Sequence, residues 1–310
     1  MSGDDDSSGW QLTESDPGVF SELLHTLGVP LIVDELWSLD AGALAALQPI
    51  SAFIFLFKYV ASSRDVSGGG AYDPDFAGFF AHQTVNNACA TLAVVNALGN
   101  IDVQMGSELK ETLDFARELD PQSRGMALVS SLFLRAAHNA LSPPSVVSLD
   151  GLNLPKRTED AYHFVVYLPV NGALYELDGL KEHAVRHAAV SEGERWVDVA
   201  RETIEARIAT YPQGAIEFSL MALRPDPLPA LQAQLAERPG DEMLLSELTR
   251  ENEKRQRWAV ENALRKANHL PLIHALVAAL SKSGGLDAAV SSAKEKMRQR
   301  LSSGQAMEED

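Results

Sequence analysis

Between Ser15-Asp16-Pro17-Gly18 and Gly28 the apolar residues Val19, Phe20, Leu23, Leu24 and Leu27 recur at helical spacing. This predicts a short amphipathic helix capped by Ser15 or Asp16, with Pro17 in its first turn. Ala52-Phe53-Ile54-Phe55-Leu56-Phe57 follows Pro49 with no polar alternation and reads as a central strand buried on both faces. From Asn86 onward, Ala88, Thr91, Leu92, Val95 and Leu98, closed by Gly99, predict a buried helix with Asn86 or Asn87 as cap. Cys89 then falls in the first turn of that helix.

Helical periodicity continues over 107–119 and over 126–141, the second run stopping before Pro143-Pro144. His163 to Val170 and Ala173 to Asp178 are strand-like runs joined by Asn171-Gly172, the strongest short signal for a β-hairpin. A helix over 196–208 and a strand over 211–223 follow. Two stretches lack periodicity. Residues 66–75, with Gly68-Gly69-Gly70, read as a mobile loop. Residues 142–160 are long for a structureless connection inside a compact domain and read as a functional loop.

Beyond Arg224 the chain changes character. Pro225, Pro227, Pro229 and Pro239 punctuate it, a charge-laced helix is expected over 244–267, an apolar one over 272–280, and a third segment runs into Lys294–Arg300. The expected organisation is therefore a disordered N-terminus (1–9), a main domain (10–225), a linker (226–240), a helical C-terminal domain (241–302) and a disordered acidic tail (303–310). The main domain is thus expected to mix helices with strands. There is no internal repeat.

A hydrophobic share of 45% over 310 residues supports a sizeable core. The strongest apolar run, residues 50–60, is too short to span a bilayer and carries Lys58. The lone cysteine cannot form an intramolecular bridge, and the opening MSGDDDSSGW has no secretory pattern. An intracellular, reducing compartment is the expectation. Net charge is −17, of which residues 1–225 hold −16. Such a field disfavours nucleic acid and anionic membranes and favours a basic partner, although an acidic surface kept for solubility has the same composition.

Cys89 is the only thiol available for nucleophilic chemistry, and a helix N-terminus stabilises a thiolate. A buried, inert cysteine would show the same local pattern. The hairpin discriminates further. With Asn171-Gly172 as a two-residue turn, Val170 faces Ala173, His163 faces Leu180 and Asp178 faces Val165. His163 and Asp178 are then diagonal neighbours on one sheet face, where a carboxylate can orient an imidazole. Glu176 shares that face at greater distance. Gln83 could aim its amide at a developing oxyanion beside the Cys89 N–H, or be an ordinary polar surface group.

The run Gln83-Thr84-Val85-Asn86-Asn87-Ala88-Cys89-Ala90-Thr91, together with Asp160-Ala161-Tyr162-His163-Phe164, resembles the ubiquitin C-terminal hydrolase family. Tyr175-Glu176-Leu177-Asp178-Gly179-Leu180, Trp10 with Glu14–Phe20, and Phe218–Ala222 extend the resemblance over roughly residues 10–223. It implies an α+β fold with a papain-like core, a central antiparallel sheet flanked by helices in a knotted path, and a C-terminal helical extension. It also implies Gln83 as oxyanion donor, Cys89 as nucleophile, His163 as base and Asp178 as orienter, with no cofactor or metal. The segment of about 142–157 becomes a loop crossing over the active site.

Within that family, Asn268-His269-Leu270-Pro271-Leu272-Ile273 and Ala293-Lys294-Glu295-Lys296 resemble the tail of the proteasome-associated member. The implied partners are ubiquitin and its conjugates, and a proteasomal ubiquitin receptor contacted through Lys294, Glu295 and Lys296, with no nucleic acid and no membrane. The implied location is cytoplasm and nucleus. Met297-Arg298-Gln299-Arg300 departs from the pattern, and a solvated amphipathic helix is the alternative for this tail. A catalytically restrained adaptor of the proteasome or of a chromatin complex is the alternative for the whole chain.

Overall fold

The computed structural model describes residues 8–58, 69–142, 162–191, 193, 195–211 and 218–305, with backbone alone for 299–305. The expected crossover loop, and most of the two expected disordered ends, lie outside the described residues.

Seven strands form one sheet in the order β1-β7-β2-β4-β5-β6-β3, every pairing antiparallel. They are β1 (Leu31–Glu35), β2 (Ala52–Lys58), β3 (Ala71–Asp73), β4 (Tyr162–Val170), β5 (Ala173–Leu177), β6 (Ala184–Ala189) and β7 (Phe218–Pro225). As expected, β2 is interior, flanked by β7 and β4. Its continuous apolar run follows from the pleat: Ile54 enters the core with Phe164 and Val166, while Phe53 and Phe55 enter a second core on the opposite face. The first core is closed by α1 (Pro17–Thr26) and α3 (Cys89–Leu98), the second by α7 (Trp196–Ile208) with α2 (Ala41–Ala46). Each fully buried aromatic or aliphatic side chain contributes about 1.5–3 kcal/mol.

The hairpin takes the register that its turn dictates. Asn171 (φ 48°) and Gly172 (φ 75°) both adopt left-handed conformations, as a two-residue hairpin turn of the favoured hand requires. Val170 accordingly pairs with Ala173, and Val166 with Leu177.

Several local expectations are corrected. Neither Asn86 nor Asn87 caps α3; its N-cap is Ala88, with no side-chain bond. Asn87 turns to φ 66° and donates its amide to Trp10 O at 3.1 Å. The run 126–141 is not one helix but belongs to α5 (Pro121–Ser130) and α6 (Leu132–Asn139), which follow α4 (Ser107–Arg117). Ser131 between them is extended (ψ 116°) and its hydroxyl accepts Leu134 N–H, starting α6 anew. Within the stretch expected as a mobile loop, Ala71–Asp73 pairs with β6, and Tyr175 Oη donates to Asp73 at 2.8 Å.

Residues 226–240, expected as a linker, hold α8 (Pro227–Glu237), capped by Asp226 and started by Pro227. The next helix, α9 (Glu242–Lys266), packs on α1. Asn262 is buried and donates to Gly18 O at 3.1 Å, and Arg265 reaches Glu14 and Asp16 at 2.9 and 3.1 Å. Lys254 lies 2.8 Å from Asp34 of β1. The compact unit therefore runs through Lys266, past the change of character near 225. Its attachment joins these polar contacts to the Trp258 indole over Gly18, long-range contacts that local periodicity does not encode. The second unit, residues 267–310, contains α10 (Leu270–Lys282) and α11 (Leu286–Gln305), which contact each other.

Candidate active site

Cys89 is the first residue of α3 and half-buried. Ala88 at the N-cap gives no side-chain hydrogen bond to this helix start, and the positive end of the helix dipole faces the thiol position. α3 packs on β4, which carries His163 as its second residue. His163 is buried, paired with Phe57 of β2, whose ring meets the imidazole edge-on at 5.8 Å.

Asp178 follows directly after β5. His163 Nε2 lies 2.6 Å from Asp178 Oδ1, the diagonal pairing that the hairpin register places there. The same oxygen accepts Leu180 N–H at 2.9 Å. With Nε2 committed to Asp178, Nδ1 is the ring nitrogen left for the Cys89 thiol, with which the imidazole also interacts. Burial disfavours the imidazolium, but attraction to the Asp178 carboxylate, its hydrogen bond and the Cys89 sulfur prevail. The His163 pKa is thereby pushed up to about 9. A thiol beside such an imidazole can pass it a proton and attack as thiolate.

Gln83 precedes the helix on an irregular segment. Its side-chain Nε2 donates to Val85 O at 3.0 Å. An amide nitrogen has two protons, so one is anchored and the other is open to a further acceptor. Gln83 Oε1 is buried with no hydrogen-bond partner among the described residues. Thus Cys89, His163 and Asp178 converge in space, and Gln83 lies against the turn that carries Asp178 through the bond from Gln83 N–H to Gly179 O at 2.8 Å.

Three other histidines are engaged elsewhere. His138 is buried between Thr91 Oγ1 at 2.8 Å and Gln11 O at 2.7 Å, and burial lowers its pKa. His82 bridges Gln122 and Glu182 O. His187 bonds Glu176 at 3.0 Å. That last contact belongs to a network missed from sequence: Glu176, fully buried, gathers Tyr167, Lys181, His187 and Arg207. A carboxylate between apolar positions of β5 was the available signal. Lys294, Glu295 and Lys296 are exposed on α11, where Glu295 lies 3.8 Å from Arg298. Among the described residues no cluster of His, Cys, Asp or Glu could hold a metal ion, and no helix is long and apolar enough to cross a membrane.

The sequence profile described as "Ubiquitin carboxyl-terminal hydrolase, family 1" matches residues 10–209, and a second, "Ubiquitin carboxyl-terminal hydrolases", matches 242–286. The ubiquitin carboxyl-terminal hydrolase ubh-4 of Caenorhabditis elegans is 38% identical over 311 residues, covering 94% of this chain and 95% of its own. Ubiquitin carboxyl-terminal hydrolase 2 of Schizosaccharomyces pombe is 36% identical, covering 85% and 88%. The crystal structure of Trichinella spiralis UCH37 bound to ubiquitin vinyl methyl ester is similar with a TM-score of 0.67 and 34% identity, over 81% of this chain and 99% of that one.

Proposed function

The chain belongs to the ubiquitin carboxyl-terminal hydrolases of family 1, and from that premise we propose that Cys89, His163, Asp178 and Gln83 cleave the bond after ubiquitin's C-terminal glycine. The observation that supports this most is the linkage at one end of α3: a first-turn thiol against an imidazole, itself 2.6 Å from a buried carboxylate.

His163 takes the Cys89 proton, and the thiolate attacks the glycine carbonyl carbon. The carbonyl electron pair moves to oxygen, where the free Gln83 amide proton and the Cys89 N–H receive it. On collapse the C–N bond breaks and His163 protonates the departing amine, leaving a thioester. Water then gives a proton to His163 and adds to the thioester carbonyl, and expulsion of the Cys89 thiolate releases free ubiquitin. Asp178 keeps the imidazole in one orientation and stabilises its charged form throughout.

A ubiquitin C-terminal fluorogenic amide and an electrophilic ubiquitin probe test the assignment, with Cys89→Ala as the control. Release of fluorophore and probe labelling should both vanish in that variant. Labelling that survives would sink the nucleophile assignment.

For the C-terminal region we propose docking on a proteasomal ubiquitin receptor, so that the enzyme edits conjugates at the proteasome in cytoplasm and nucleus. The profile match over 242–286 and the exposed apolar side chains Leu272, Ile273, Leu276 and Val277 of α10 support it. Lys294, Glu295 and Lys296 on α11 are the candidate polar contacts. Calorimetry with the purified receptor and imaging of the tagged chain are the measurements. Absence of binding, with hydrolysis indifferent to the receptor, would leave this proposal without support.

A further inference from the structure

The turn that carries Asp178 and the segment that carries Gln83 meet outside any strand pairing. Gln83 N–H donates to Gly179 O at 2.8 Å, and His82 Nε2 lies 3.0 Å from Glu182 O. Gly179 has no room for a side chain. A Cβ there would stand 2.9 Å from Gln83 N, 3.2 Å from Gln83 Cβ and 3.4 Å from Ala81 O. Two of those neighbours are backbone atoms, so an added methyl group is relieved only by moving the chain.

The turn itself is held from several sides. Lys181 N–H donates to Asp178 O at 2.9 Å, Leu180 N–H donates to Asp178 Oδ1 at 2.9 Å, and Lys181 Nζ reaches buried Glu176 at 2.7 Å. Residues 81 and 82 are held from the helical side, Ala81 by Asn96 at 2.8 and 3.2 Å and His82 N–H by Pro121 O at 3.0 Å, so the contact with Gly179 sets where Gln83 stands relative to the turn. Gln83 is thereby seated by the loop that supplies the acid.

We infer that Gly179 is a positioning residue for the oxyanion hole: its bare Cα lets the Asp178 turn approach and hold Gln83, setting the amide for the carbonyl oxygen. This deepens the proposed function and rests on its assignment of Gln83 as oxyanion donor. Residues 178–181 then act as one bracket for both halves of the machinery, the acid–base pair and the anion cradle. Displacing a catalytic group by a fraction of an ångström costs rate rather than binding.

The test is Gly179→Ala in the full chain, with steady-state hydrolysis of the ubiquitin fluorogenic amide beside alkylation of Cys89 by iodoacetamide. Alkylation forms a C–S bond and expels iodide without building an oxyanion, so it reports the thiol and imidazole alone. A drop in kcat of about tenfold is expected, with KM within about twofold and the alkylation rate and its pH profile unchanged. An unchanged kcat in folded protein overturns the inference. So does alkylation slowed in proportion, because the loss then runs through His163 and Asp178.

Gln83→Ala separates this inference from the assignment beneath it. It should lose about 10²–10³-fold in kcat, and adding Gly179→Ala should cost little more. Full activity in Gln83→Ala refutes the donor assignment and the inference with it. Loss in Gln83→Ala but not in Gly179→Ala refutes the bracket alone. Should Gly179→Ala fail to fold, His82→Leu cuts the second tie without adding bulk beside Gln83. A kcat lowered severalfold with normal alkylation supports the bracket, and an unchanged kcat overturns it.

Discussion

Arg207 Nη1 stands 2.9 Å from Glu176 Oε1, both side chains buried, joining α7 to β5 across the sheet face that also carries Asp178. The guanidinium lies over the Phe57 ring at 4.1 Å from its centroid, and Phe57 in turn meets the His163 ring. Burial alone would raise the Glu176 pKa, but Arg207, His187 and Lys181 hold the carboxyl well below the usual range. A buried charge network thus backs the candidate active site.

Glu176→Ala leaves Arg207, Lys181 and His187 without their shared carboxylate. Unfolding free energy measured in urea should fall by about 3–5 kcal/mol. The pH dependence has a defined sign. A depressed carboxyl pKa contributes stability above the ordinary value of about 4.3, lost as pH falls below it. Wild type should therefore lose stability more steeply than Glu176→Ala on acidification below about pH 5.

His163 moves in the opposite sense. Its pKa, raised to about 9, contributes stability in full below the ordinary value of about 6.5, and this is lost as pH rises through 9. Hydrolysis should fall along an alkaline limb near pH 9. Asp178→Asn should lower kcat by about 10²–10⁴-fold and move that limb to lower pH. A kcat–pH profile of both proteins, with chemical unfolding at pH 6 and 9.5, checks each part.

Removal of α9 should weaken the catalytic unit. Trp258 covers Gly18, whose added Cβ would lie 2.8 Å from the indole, and Asn262, Lys254 and Arg265 bind α1 and its flanks. A chain ending at Lys266 should melt within a few degrees of the intact protein's catalytic unit. One ending at Gly240 should lose about 2–4 kcal/mol of stability. Calorimetric scans of the three chains distinguish these outcomes.

Leu276 is 60% exposed on α10. Leu276→Asp should leave ubiquitin amide hydrolysis and melting of the catalytic unit unchanged, while under the docking proposed for α10 the affinity for the proteasomal receptor, measured by calorimetry, drops about tenfold or more.

Legibility followed the range of the forces involved. β2, α1, α7 and the β4–β5 hairpin announced themselves through period, caps and turn residues, each acting within a few positions. β1 and β6 did not. Leu31–Glu35 is too short a run for its period to mark it and becomes a strand by pairing with β7, whose Arg224 also binds Asp34 at 2.7 Å. The break at Ser131 was hidden because a serine suits a helix surface until its hydroxyl caps the next turn.

By itself the sequence determined the hairpin register, because left-handed Asn171-Gly172 and period-two side chains are local properties. With it came the pairing of His163 to Asp178. The family followed from motif residues, and Cys89 at a helix start from apolar periodicity. Only the tertiary structure decided that this helix start meets His163, that Glu176 gathers cations behind Asp178, and that Gly179 touches Gln83. Those relationships join segments distant along the chain through packing and buried charge, and no local pattern encodes which distant partner will arrive.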